Sequence, residues 1–277
     1  MIMESYQIHT AGGAQLYCTS WQSIDSPKAV LFIVHGLGEH LGRYEEMANF
    51  FIKKQIAVFA FDHRGHGRSE GKKGHAESID QFVEDVEYAL MQCRSLYLEI
   101  PIFLFGHSMG GQIVASYLDK VKSKEILGAI ISSAWFRIVS PPPSWQIKLI
   151  KKLKSILPGF TQSNRLDVKK ISSVKAEVDL YVKDQLIHDR LSMALFNSLF
   201  QNGLHLIHNA QPSKIPVLVC HGNRDQITAT LGSEQYANNL GEKAELKIWP
   251  DSFHELHHDY DKKNVMQYYV NWVLGKL

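Results

Sequence analysis

Pro101-Ile102-Phe103-Leu104-Phe105-Gly106-His107-Ser108-Met109-Gly110-Gly111-Gln112-Ile113-Val114-Ala115-Ser116-Tyr117-Leu118 is the stretch on which the reading of this chain turns. Pro101–Phe105 is a short apolar run of the kind that forms a buried strand. Gly111–Leu118 carries on as an apolar helical stretch. Between them stands Gly-x-Ser-x-Gly. A strand that turns this abruptly into a helix leaves no room for large side chains at the flanking positions, hence the glycines. The turn lifts the Ser108 hydroxyl above the sheet, at a helix N-terminus. A plain Gly/Ser turn closing a βα unit is the bland alternative, which the strand and helix on either side disfavour.

Outward from this point, short apolar runs alternate with amphipathic stretches. Tyr6–Thr10 and Leu16–Trp21 read as two strands joined by Ala11-Gly12-Gly13. Ala29–Val34, Ile56–Phe61, Ile102–Phe105, Leu127–Ser132, Val217–Cys220 and Glu245–Ile248 follow, rich in Val, Ile and Phe. The clearest helix starts at Ile79. Ile79, Phe82, Val83, Val86, Leu90, Cys93 and Leu96 fall on one face, and Ser78 with Gln81 suggests a capping box. An antiparallel start followed by β-α alternation predicts an α/β domain, with a mostly parallel eight-stranded sheet flanked by helices. Some eighty residues between the strands at Leu127 and Val217 lack a strand pattern and open with Pro141-Pro142-Pro143. That is too long for an ordinary crossover. The expected organisation is a core of 1–136 and 208–277 with a helical cap, 137–207, inserted.

Composition narrows the function. Lys+Arg 30 against Asp+Glu 28 gives a net charge of +2, which argues against a nucleic-acid binder. With 45% hydrophobic and 21% charged residues the chain is not disordered. Cys18, Cys93 and Cys220 are odd in number and far apart, which argues against a disulfide framework or thiolate metal site. The N-terminus lacks the apolar core of a signal peptide, and the longest apolar run, Ala29–Val34, is too short to span a membrane. A cytoplasmic protein is expected.

A serine nucleophile needs a base, and the base an orienting acid. In the fold where this turn occurs the order is Ser, acid, His. Asp225 follows the strand at Val217 and is the expected acid; Asp251 is the weaker rival. His254 follows the last strand and is the expected base. The oxyanion needs two backbone donors. Met109, just after Ser108, supplies one. Leu37, in His35-Gly36-Leu37-Gly38 after the Ala29 strand, supplies the other. His254-Glu255-Leu256-His257-His258 also fits His-Glu-x-x-His, a zinc-protease pattern, but no Glu or His follows as a third ligand. No metal is expected.

These residues resemble the monoacylglycerol lipase and lysophospholipase group of serine α/β-hydrolases. The resemblance rests on His35-Gly36-Leu37-Gly38-Glu39-His40-Leu41-Gly42-Arg43-Tyr44, on Asp62-His63-Arg64-Gly65-His66-Gly67-Arg68-Ser69-Glu70-Gly71, on Gly106-His107-Ser108-Met109-Gly110-Gly111, and on Asp225 with His254. The first stretch is much more specific than Gly-x-Ser-x-Gly. The resemblance covers nearly all the chain outside the cap. It implies the α/β-hydrolase fold, hydrolysis of a single-chain lipid ester with no metal or organic cofactor, and a cap that forms an acyl tunnel. It also implies a polar pocket for the substrate head group at Glu39, Arg43 and His257. The bland reading of those three is a surface ion pair and a solvent-facing His. Leu37 is bulkier than the alanine expected there, but the donor is backbone. The Asp62–Gly71 stretch is read as ordering its loop.

In the cap, Trp145–Leu157 on a helical wheel puts Trp145, Leu149, Ile150, Leu153, Ile156 and Leu157 on one arc, interrupted by Gln146. Lys148, Lys151, Lys152 and Lys154 occupy the other, with Ile147. From Arg137 to Lys170 two Arg and six Lys stand against one Asp, a net +7 that leaves −5 for the rest of the chain. Two readings stay open. One is an interfacial helix making a peripheral membrane contact; the other is a cap helix packing its apolar face on the body. The expected function is hydrolysis of monoacylglycerol to fatty acid and glycerol through an acyl-enzyme on Ser108. A lysophospholipase, a broader carboxylesterase or thioesterase, and a non-catalytic binding protein are the alternatives.

Overall fold

The computed structural model describes residues 2–23, 25–120, 125–154 and 156–277. The chain opens with β1 (Ile2–His9) and β2 (Gln15–Gln22). Then β3 (Ala29–Val34), α1 (Glu45–Ile52), β4 (Ile56–Phe61), α2 (Ile79–Leu96), β5 (Ile102–His107), α3 (Met109–Lys120) and β6 (Ile126–Ser132) alternate. The long insertion holds α4 (Ser144–Leu153), β7 (Thr161–Ser163), α5 (Lys175–Lys183), β8 (Arg190–Ser192) and α6 (Met193–Asn209). β9 (Val217–Gly222), α7 (Thr230–Leu240), β10 (Ala244–Trp249) and α8 (Lys262–Leu274) complete it.

Among the described residues, eight strands form one sheet in the order β1-β2-β4-β3-β5-β6-β9-β10. β1 and β2 join antiparallel, as do β2 and β4, and every other pair is parallel. The expected mostly parallel eight-stranded sheet flanked by helices is what the chain forms. Strand periodicity then builds two cores. Val30, Phe32 and Val34 face Phe82, Val86 and Leu90 of α2 and Ile113 and Val114 of α3. Ala29, Leu31 and Ile33 face the other way, toward Met47 and Phe51 of α1 and Val265, Tyr269 and Val273 of α8. Each such side chain contributes about 1.5–3 kcal/mol by leaving water, so the sheet is held from both faces. A parallel sheet covered on both sides puts the strand C-termini, and the loops that follow them, on one edge.

Several boundaries differ from expectation. β1 begins at Ile2, four residues before the expected Tyr6, because a mostly exposed edge strand has no apolar run to mark it. Leu96 is 37% exposed, and the neighbouring Tyr97 is buried instead. Ser78 does cap α2, but its Oγ accepts from Asp80 N–H at 3.2 Å and Gln81 Oε1 accepts from Glu77 N–H at 3.0 Å, so the capping box is shifted by one residue at each bond. The insertion is not free of strands: β7 and β8 pair antiparallel over three residues each, too short for a sequence pattern. α6 runs through position 207 to Asn209 and packs on α3 and α7 as well as on α4.

α4 also departs from its wheel. Its half-buried side carries Gln146, Ile147, Ile150, Leu153 and Lys154, and its outer side Trp145, Lys148, Leu149, Lys151 and Lys152. Ser155, within the expected Trp145–Leu157 helix, lies outside the described residues. The apolar arc is therefore split, and Trp145 stands 64% exposed and Ile156 73%. α4 packs on α6, and the half-buried Lys154 fits this side because a lysine stem is apolar enough to lie along packed helices.

Candidate active site

Ser108 is the single residue between β5 and α3. Its φ is 53°, in the left-handed region that non-glycine residues avoid, at a cost of about 1–3 kcal/mol. The turn is held in this conformation from several sides. Ser108 N–H donates to Ser132 O at 3.0 Å, and Ser108 O accepts from Trp135 N–H at 2.9 Å and Gln112 N–H at 3.2 Å. The flanking glycines follow from close approach: a Cβ on Gly106 would strike Gly110 O, and one on Gly110 would strike Val34 O.

Asp225 follows β9, and His254 lies in the loop after β10. Though 29 positions apart, they meet through Asp225 Oδ2 and His254 Nδ1 at 2.7 Å, both buried. Oδ1 accepts from Ile227 N–H at 2.7 Å and Thr228 N–H at 3.0 Å. Burial alone would raise the Asp225 pKa, but His254 and His221 beside it hold the carboxyl far below its usual range. Burial alone would lower that of His254, and the Asp225 charge overrides it and leaves it raised. The His254 ring lies 4.8 Å from that of His107, the neighbour of Ser108. Asp251 is exposed and lies 4.0 Å from Arg224, away from this pair.

Gly36 and Leu37 follow β3, and Met109 is the first residue of α3. Glu39 orders the loop from below: Gly36 N–H donates to its Oε1 at 2.5 Å, as does Tyr44 OH at 2.9 Å. The 62–71 loop supports the same region. Asp62 Oδ1 accepts from Leu41 N–H at 2.7 Å, and Oδ2 from Arg68 N–H at 2.8 Å.

The bland reading of Glu39, Arg43 and His257 fails. All three side chains are buried. Arg43 Nη1 donates to Glu39 Oε2 at 3.1 Å, and Arg43 grips both Glu255 oxygens at 2.6 and 2.7 Å. Its guanidinium lies 4.7 Å from the centre of the Tyr181 ring, from α5 of the insertion. His257 stacks on Tyr44, with ring centres 4.9 Å apart, and its ring lies 5.0 Å from that of His107. Neither of its ring nitrogens has a hydrogen-bond partner among the described residues, and burial holds its pKa well below the usual imidazole value. Two imidazoles of the 254–258 loop thus flank His107, one tied to a carboxylate and one with free nitrogens. Tyr181 carried no signal as a site residue in the sequence, and Glu255 and Tyr44 appeared only within longer motifs without this role, because their partners are distant along the chain or were not assigned to them.

The His-Glu-x-x-His pattern does not lie on a helix; a three-residue 3-10 turn covers only Leu256–His258. His254 is bound to Asp225, Glu255 to Arg43, and His258 Nε2 lies 2.9 Å from Arg43 O. Among the described residues no group of three or more His, Cys, Asp or Glu side chains converges as a metal site. No described helix is long and apolar enough to cross a membrane.

The family described as Serine aminopeptidase, S33, matches residues 25–261. The chain is 31% identical to monoglyceride lipase of Mus musculus over 273 residues, 96% of this chain and 89% of that one. It is also 31% identical over 270 residues to an uncharacterised abhydrolase domain-containing protein of Dictyostelium discoideum. That match covers 97% of this chain but only 28% of the longer one. The crystal structure of Paleococcus ferrophilus monoacylglycerol lipase superposes with a TM-score of 0.84 at 30% identity, over 100% of both chains.

Proposed function

The chain belongs to the family described as Serine aminopeptidase, S33, as a carboxylic ester hydrolase of the α/β-hydrolase fold, and we propose that it cleaves monoacylglycerol to fatty acid and glycerol. In this reading Ser108 attacks the ester carbonyl while His254 takes its proton. Asp225 keeps His254 in the correct tautomer and stabilises it when cationic. The N–H groups of Leu37 and Met109 hold the oxyanion. His254 then returns its proton to the leaving glycerol, and water activated by the same ring releases the acid. Residues 137–207 act as a cap over a body of 1–136 and 208–277.

The observation that carries the choice of head group is the buried Glu39, Arg43 and Glu255 cluster beside His257. One guanidinium faces two carboxylates at 2.6–3.1 Å. Such a cluster offers no surplus positive charge to a phosphate, whereas neutral hydroxyls suit both it and the unpartnered nitrogens of His257. Monoacylglycerol is therefore favoured over lysophospholipid. A hydrolysis panel tests this: monoacylglycerols of several lengths, lysophosphatidylcholine, triacylglycerol, a p-nitrophenyl ester and an acyl-CoA. A kcat/KM highest on monoacylglycerol is expected; one highest on lysophosphatidylcholine would overturn the reading.

The substrate reaches the site from a lipid surface, and α4 is the contact. Exposure of Trp145, Leu149 and Ile156 next to Lys148 and Lys152 supports this, since apolar and basic groups share one outward side.

A further inference from the structure

The acid of the proposed triad is held by more than its partner base. Asp225 Oδ2, which accepts from His254 Nδ1 at 2.7 Å, lies 3.0 Å from His221 Nε2 and accepts the Thr228 hydroxyl at 2.8 Å. His221 is fully buried near the end of β9, four positions before Asp225. Its ring is fixed at both nitrogens. Nδ1 lies 2.8 Å from Ser233 Oγ in α7, and Nε2 also lies 3.1 Å from Thr228 O. A carboxylate oxygen and a carbonyl oxygen can only accept. Nε2 therefore carries a proton, while Ser233 Oγ can serve Nδ1 as donor or acceptor.

We propose that His221 is a positioning residue of the reaction: its Nε2–H holds Asp225 Oδ2 in line with His254 Nδ1 and takes up part of the carboxylate's charge. It touches no substrate and acts through Asp225, on whose assignment as the acid, with His254 as the base, this inference rests. Without the His221 donor, Oδ2 keeps more of its charge for the His254 proton. His254 then stays protonated, and useless as a base, to higher pH. The other groups facing His254 are Glu255, Glu39 and the His107 ring, and a substitution at His221 leaves all of them in place.

The test is the pH dependence of two rates, hydrolysis of a short-chain p-nitrophenyl ester and labelling by a fluorophosphonate. His221→Leu lowers kcat about tenfold with little change in KM, and moves the acidic limb of kcat/KM upward by about half a unit or more, the size expected for loss of one charge-assisted bond. His221→Gln, whose amide N–H can replace the donor, returns the limb close to the wild-type position. Ser233→Ala loosens the ring at Nδ1 and moves the limb in the same direction by less. An unmoved limb in His221→Leu, or an equal displacement in His221→Gln, overturns the proposal. Should His221→Leu fail to fold, the limb of Ser233→Ala decides, and an unmoved limb there overturns it. Asp225→Asn separates the two levels. Full activity in that variant overturns the acid assignment itself; loss of activity there, with unmoved limbs at His221 and Ser233, overturns only the role of His221.

Discussion

Two buried carboxylate clusters flank the 254–258 loop, and they are built differently. Around Asp225 a single carboxylate meets backbone N–H groups, the Thr228 hydroxyl and two imidazoles. Its charge is solvated but not cancelled, and the shortest of the imidazole contacts is to His254. Around Arg43 a single guanidinium is shared between Glu39 and Glu255, so that one fixed cation bridges two carboxylates and its donors are used up within the cluster. The first cluster keeps a field and aims it at one proton. The second uses its charges to fix one another's geometry and leaves a rigid, polar wall. A third set of charges, the lysines of α4, stands in solvent and differs from both in being screened by salt.

The largest expected effect breaks the first cluster. Asp225→Asn should lower kcat by about 10⁴-fold while the protein stays folded, and Ser108→Ala should abolish both turnover and fluorophosphonate labelling. Because the His254 pKa is raised above 6.5 in the folded protein, wild-type kcat/KM should climb through a midpoint above 6.5 as the ring loses its proton. A midpoint well below that would remove Asp225 as the dominant influence.

The next effect falls on the second cluster and should be read in stability. Arg43→Ala leaves two carboxylates buried without their cation, at a cost of about 3–5 kcal/mol, measurable by urea unfolding. If Arg43→Ala unfolded like wild type and lost only turnover, the contrast drawn between the two clusters would collapse.

Exposed charge should cost less and respond to salt. Reversing Lys148 and Lys152 together to Glu should weaken flotation with anionic vesicles by about a hundredfold at low salt and much less at high salt. Turnover of a soluble short-chain ester should not change. Equal flotation of variant and wild type would leave α4 as a solvated cap helix.

The smallest effect sharpens the role of the polar wall. His257→Ala should lower kcat/KM on monoacylglycerol about tenfold more than on the methyl ester of the same acid, since only the glycerol has hydroxyls to place. Equal losses on both would make His257 a packing residue beneath His107.

The sequence by itself determined whatever depends on local pattern. β3 and β4 were legible to the residue, because strands buried on both faces are unbroken apolar runs. The turn at Ser108 was legible because its steric demand admits only glycine at Gly106 and Gly110. Asp225 and His254 were legible as candidates because chain order and strand ends single them out. Other features were decided only when distant segments met. Glu255 follows His254 directly, yet its partner is Arg43, more than two hundred positions earlier. His221 falls just past the strand pattern read at Val217–Cys220 and carries no signal of its own until Asp225 turns back toward it. The wheel over Trp145–Leu157 ran past the end of α4 at Leu153 and could not say which side of the helix its neighbours would cover. Periodicity reports what one segment can bury, whereas electrostatic pairing and the choice of covered face belong to the neighbours that folding brings alongside.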